Sequence, residues 1–181
     1  MSDSQERARG YGIGAAMVGG GNALNRSPQD FYATPPNITA ALFEAEGFVG
    51  GVWDPGCGDG RLLEVAKAYA DGVYGSDLVD RGYGQEVRDF FDIPTARAPN
   101  IVTNPPFDKA GAFIEHALSL RCRKVAFVLK ANFWHAMARY GLYKAHPPSL
   151  VYPLTWRADF LGLGRPTLEL IWCVWNFDHT G

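Results

Sequence analysis

Cysteine is scarce in this chain. Three occur in 181 residues, Cys57, Cys122 and Cys173, far apart and odd in number. That argues against a disulfide framework or a thiolate zinc site and suits a reducing compartment such as the cytoplasm. No apolar run approaches the roughly 18 residues of a membrane span. The first seven residues lack the basic-then-apolar pattern of a secretion signal. The histidines at 116, 135, 146 and 179 have no ligand spacing, so no metal is expected. Acidic side chains are nearly missing from one block: residues 121–165 hold 8 basic residues and one acid, Asp159, whereas residues 1–120 hold 9 basic and 16 acidic. The net charge of −2 therefore hides a basic block that could neutralise phosphates. Lys130, Arg139, Lys144, Arg157 and Arg165 are its candidate nucleic-acid contacts. The plainer alternative is a solvated surface.

What is present is an ordinary globular composition, 47% hydrophobic and 20% charged, long enough for one domain with a sizeable core. Residues 1–27 are glycine-rich and unpatterned and read as a flexible arm. Residues 28–181 read as a single domain. A helix is predicted over 38–46, with Thr34 as its cap and Pro35 at its first position. Strands are predicted over 48–53, 73–77, 100–103 and 124–129, helices over 61–70, 110–120 and 131–143. Two strands, 150–156 and 168–177, end the chain with no convincing helix between them. Alternating strands and helices imply a parallel α/β sheet with helices on both faces, closed by an antiparallel hairpin.

Four features lie where such sheets bind ligands, at the carboxyl ends of strands. Asp54-Pro55-Gly56-Cys57-Gly58-Asp59-Gly60 is a tight glycine turn feeding a helix. It lets backbone approach a ligand, but it is neither G-x-G-x-x-G nor a phosphate-binding loop. Asp77, at the next strand end, suits either the two hydroxyls of a ribose or a turn cap. Asp89-Phe90 suits either an adenine, accepting from its amine and stacking on its ring, or a surface acid beside a core phenylalanine. Asn104-Pro105-Pro106-Phe107 places a polar amide, a stiff stretch with free carbonyls and a flat ring in a row. This is a pre-shaped acceptor pair for a planar group bearing an NH2. Phe133-Trp134 fits either the core or a base pocket. Cys57 fits a tight turn better than an activated thiolate.

In this order the features resemble the S-adenosylmethionine-dependent amino-methyltransferases, over residues 30–177. Within that group they are similar to DNA adenine-N6 methyltransferases of the gamma motif order, in the compact phage or prophage form without a target-recognition domain. The resemblance implies a Rossmann-like class I fold with a mixed seven-stranded sheet. It implies S-adenosylmethionine as cofactor, held by Tyr32, Thr34 and Pro35 at its methionine end. Asp54, Gly56, Cys57 and Gly58 match the first cofactor motif, Asp77 matches the ribose-binding acid with Leu78 as a further cofactor contact, and Asp89 and Phe90 match the adenine end. Asn104, Pro105, Pro106 and Phe107 match the catalytic motif, with Asn104 also beside the cofactor. DNA of low sequence specificity is the implied partner. RNA amino-methyltransferases and, less well because of Phe107, glutamine methyltransferases share the motif. A degenerate, non-enzymatic binding module is the alternative from another class.

Overall fold

The computed structural model describes residues 32–160, 166 and 168–178. The predicted arm at 1–27 and the candidate Arg165 lie outside the described residues. A sheet of seven strands forms the centre: β1 (Val52–Asp54), β2 (Val73–Asp77), β3 (Glu86–Val87), β4 (Asn100–Thr103), β5 (Lys124–Lys130), β6 (Leu150–Pro153) and β7 (Leu170–Asn176). Their spatial order is β3-β2-β1-β4-β5-β7-β6. The first five are mutually parallel, and β7 runs antiparallel to both β5 and β6. The expected mixed sheet with its reversed strand is therefore present.

Strand residues alternate between two apolar layers because successive side chains point to opposite faces. On β4, β5 and β7, Val102, Ala126, Val128, Trp172 and Val174 pack with α1 (Pro36–Ala45) and α2 (Arg61–Ala66). Ile101, Val125, Phe127, Cys173 and Trp175 face the other way, onto α3 (Ala110–Ser119). Being covered on both faces, β5 and β7 are near-continuous apolar runs instead of alternating ones. At one end, Lys124 is buried but donates to Glu46 Oε1 and to the Gly47 carbonyl, so its charge is matched.

Two predictions need correction. Thr34 does not cap α1. The residue before a proline is pushed out of helical geometry; Pro35, with ψ 133°, precedes Pro36, so the helix starts at Pro36 and Thr34 is left two residues outside it. The predicted helix over 131–143 is two 3-10 turns (Phe133–His135 and Met137–Arg139), followed by the short α4 (Tyr140–Ala145). Ala136 is extended between the turns, and buried Phe133 is drawn into the core. The two-residue strand β3 lies between 78 and 99, where no element is predicted. Among the described residues no helix is long and apolar enough to cross a membrane.

Candidate active site

A cavity of about 440 Å³ opens at the carboxyl ends of β1, β2 and β4, a size usual for small-molecule sites. Its lining runs from Pro55 and Gly56, through Asp77, Leu78, Val79 and Arg81, to Asp89, Phe90 and Phe91, and then to Asn104–Lys109, with Tyr32 and Phe113.

The β1–β2 side is held by carboxylates bonded to backbone. Asp54 is buried; its Oδ1 accepts from Gly56 N (3.0 Å) and from Thr103 Oγ1 (2.7 Å). Burial pushes its pKa up to about 7, although both hydrogen bonds pull it down and nearby Asp77 pushes it further up. Asp77 accepts from Gly58 N at Oδ2 (2.8 Å) and from Val79 N at Oδ1 (2.9 Å). Each carboxylate oxygen has room for a second donor, so Asp77 can hold its loop and still take two hydroxyls. Gly58 and Gly60 have φ of 55° and 83°, the left-handed region glycine enters without strain. Tyr83 lies so close over Gly60 that a Cβ there would come within 2.2 Å of its ring.

Several predicted cofactor residues do not touch the cavity. Asp54 and Gly58 shape the turn beneath it. The Cys57 sulfur is buried, 3.0 and 3.2 Å from where a Cβ on Gly75 or Gly84 would lie. Burial raises its pKa to about 12, so it is an inert packing group. Thr34 and Pro35 also lie off the lining. Asp89 lines the cavity, and its Oδ1 accepts from Phe91 N (3.0 Å), capping the 3-10 turn Phe90–Asp92. Phe90 is only 2% exposed and is packed by Trp53, Phe113 and His116. It offers an edge at most, and the available ring is Phe91, 37% exposed. The sequence reading missed Thr103, Val79, Arg81 and Phe91 as site residues. An Asp–Thr pair at adjacent strand ends was the one available signal.

The β4 side is built from side chains. Asn104 Nδ2 donates to the Tyr32 carbonyl (3.3 Å) and to Thr34 Oγ1 (3.1 Å). Because the Tyr32 carbonyl can only accept, it fixes which way the amide is turned. Asn104 Oδ1 is thereby left as an acceptor at the cavity. The Pro106 carbonyl is used by Lys109 N (3.0 Å). No donor among the described residues reaches the Pro105 carbonyl. Phe107 stacks on Tyr32 (centroids 6.0 Å apart, planes 27° apart), and Lys130 Nζ lies 4.4 Å from its centroid, a cation–π distance. The segment 32–34 thus touches Asn104 through both a backbone carbonyl and a hydroxyl.

The basic candidates divide. Lys130 sits at the site's edge on Phe107. Arg139 rests on the Phe133 ring, 4.0 Å from its centroid, and donates to the Phe133 carbonyl. Lys144 is exposed. Arg157 is paired with Glu169 (2.8 Å) and so adds little net charge. Phe133 and Trp134 belong to the core layer over α3 and not to the cavity. No cluster of metal-ligating side chains occurs among the described residues.

Neither a protein-family description nor a curated protein sequence matches this chain. Solved structures do. A candidate RNA methyltransferase of Pyrococcus horikoshii superposes with a TM-score of 0.64 at 17% identity, over 90% of this chain and 94% of that one. The fold is that of the class I methyltransferases. A dimethyladenosine transferase of Plasmodium falciparum gives 0.56 at 15% identity, over 80% and 62% of the two chains. The magnesium protoporphyrin IX methyltransferase of Synechocystis, solved with S-adenosylmethionine bound, gives 0.52 at 21% identity and 78% of each. At these identities the likeness concerns the class I methyltransferase fold itself.

Proposed function

We propose that this chain transfers a methyl group from S-adenosylmethionine to the exocyclic N6 amine of adenine in DNA. The observation that carries the reading is the locked amide of Asn104. Its two hydrogens are spent on Tyr32 and Thr34, and Oδ1 is left for a donor at the cavity. Asp77 fits the cofactor: a partly exposed carboxylate at the cavity with capacity for two hydroxyls. Phe91 supplies ring surface for the adenine end and Gly56 leaves space above the turn. When bound, the cofactor supplies an electrophilic methyl group.

The remaining chemistry belongs to the chain. The lone pair of an aryl amine is delocalised into its ring and is a poor nucleophile. Asn104 Oδ1 and the Pro105 carbonyl can each accept one N–H, which draws the nitrogen toward tetrahedral geometry and frees its lone pair. Holding the amine in line contributes much of the acceleration. A strong general base is unnecessary, because the amine sheds its proton once it is cationic. Phe107, braced by Tyr32, offers the surface against which a flipped base would rest.

RNA is the second reading, favoured by the likeness to a candidate RNA methyltransferase and a dimethyladenosine transferase. Incubation with isotopically labelled cofactor and duplex DNA, single-stranded DNA or RNA, followed by nucleoside mass spectrometry, tests both. N6-methyladenine from DNA is expected. Methyladenine from RNA alone would replace DNA with RNA, and no labelled adenine from any of the three would end the proposal.

A further inference from the structure

We infer that the outer face of residues 131–146 is a platform for single-stranded nucleic acid, seating the nucleotides next to the one that enters the cavity. The inference rests on the nucleic-acid reading above and extends it to a surface outside the site. The segment leaves the carboxyl end of β5, the strand beside β4 and its catalytic loop. It is pinned from within. Phe133 is buried, Trp134 Nε1 donates to Cys173 Sγ (3.3 Å), Leu142 packs into the layer over α3, and the His146 carbonyl accepts from Trp175 Nε1 (3.0 Å).

The outer side is unusual for a solvated face. Met137 is 86% exposed and Tyr140 62%. Tyr140 and Lys144 stand four residues apart on α4, so ring and cation lie on one helix face. Arg139 is held in place on the Phe133 ring. No acidic residue occurs anywhere between Arg121 and Asp159. Two exposed rings, Tyr140 and Tyr143, flanked by the cations Arg139 and Lys144 in a stretch lacking negative charge, match a strand whose bases stack while its phosphates pair with cations. A duplex keeps its base faces buried against one another and offers such rings little, which selects a single strand. Lys130, over Phe107, joins the platform to the cavity.

Fluorescence anisotropy of the full chain, with a short dye-labelled oligonucleotide as single strand and as duplex, tests this. The wild type should bind the single strand more tightly than the duplex. Combining Tyr140→Ala with Lys144→Glu should weaken single-strand binding about tenfold or more and lower its salt dependence. Cofactor binding by calorimetry should stay unchanged, which shows that the variant is folded. If the double variant binds cofactor and oligonucleotide as the wild type does, the platform is overturned and the methyl-transfer reading stands. If the wild type binds neither form of the oligonucleotide, both fall.

Discussion

At the β1–β2 end of the cavity the named acids, Asp54 and Asp77, are tied to backbone N–H groups of the turns they support. At the β4–β5 end, polar groups are held by side chains, rings and a distant segment: Asn104 by Tyr32 and Thr34 and Lys130 by Phe107, with Arg139 held on Phe133 beyond the cavity. The first end presents Asp77 and Asp89 to the cavity above the buried Asp54. The second is basic, aromatic and open to solvent. A site that receives one small ligand of fixed chemistry can bury its contacts in a single rigid turn. The surface proposed to receive a polymer needs exposed cations and rings, and these are kept in place by stacking instead of burial.

Five substitutions test that contrast. The largest effect expected is on stability through Asp54. Its pKa is higher folded (about 7) than the ordinary 3.8, so the fold favours the neutral acid. That contribution is whole below about pH 4 and is lost as pH rises through about 7. Relative to Asp54→Asn, which cannot ionise, wild-type stability in denaturant titrations should fall across this window by up to about 4 kcal/mol, at about 1.4 kcal/mol per pKa unit. A pH-independent difference would show that the acid is not buried as described.

Asp77→Ala comes next. It removes a carboxylate that both braces Gly58 and faces the cavity, so cofactor affinity should drop about 100-fold, the scale of two hydrogen bonds to a charged group. Oligonucleotide binding should change less than about twofold, by the same separation of ends. Calorimetry and anisotropy measure the two. A matching loss in both would dissolve the distinction between them.

The glycines divide the first end itself. Gly60→Ala places a Cβ in the Tyr83 ring at positive φ and should cost about 1–3 kcal/mol of stability. Gly56→Ala meets nothing closer than 3.8 Å in the protein yet borders the cavity. It should leave the melting temperature within a degree or two while weakening cofactor binding. The smallest effect belongs to Arg157→Ala: with its exposed charge already paired to Glu169, stability should change by less than about 1 kcal/mol and oligonucleotide affinity hardly at all.

Local residue patterns were enough for the parts of the fold built from local interactions. Buried β4 coincides with its apolar run, and Asp77 closes β2 as expected. The two-residue β3 was not legible. It exists because it pairs with Ser76–Asp77 while the Gln85 side chain accepts from Gly75 N (2.5 Å), a long-range arrangement with no periodic signal. The helix read over 131–143 failed for a related reason: Phe133 and Trp134 satisfy core contacts that a continuous helix would have turned elsewhere. Asn104 through Phe107 line the cavity as a continuous run, so their place there was legible from sequence alone. Thr34 was misassigned because its partner, Asn104, is 70 residues away. Phe90 and Phe91 are neighbours of one type, and only packing separates the core ring from the exposed one.

The proposed function gives Asn104 to the accepting amine and cofactor binding to the other end of the cavity. Its most direct test is Asn104→Ala, assayed for cofactor affinity by calorimetry and for methyl transfer to DNA in a single turnover. Cofactor affinity should stay within a few-fold of wild type and the transfer rate should fall at least about 100-fold, the scale of losing one preorganised polar contact at a reacting group. Full turnover in this variant would contradict the account.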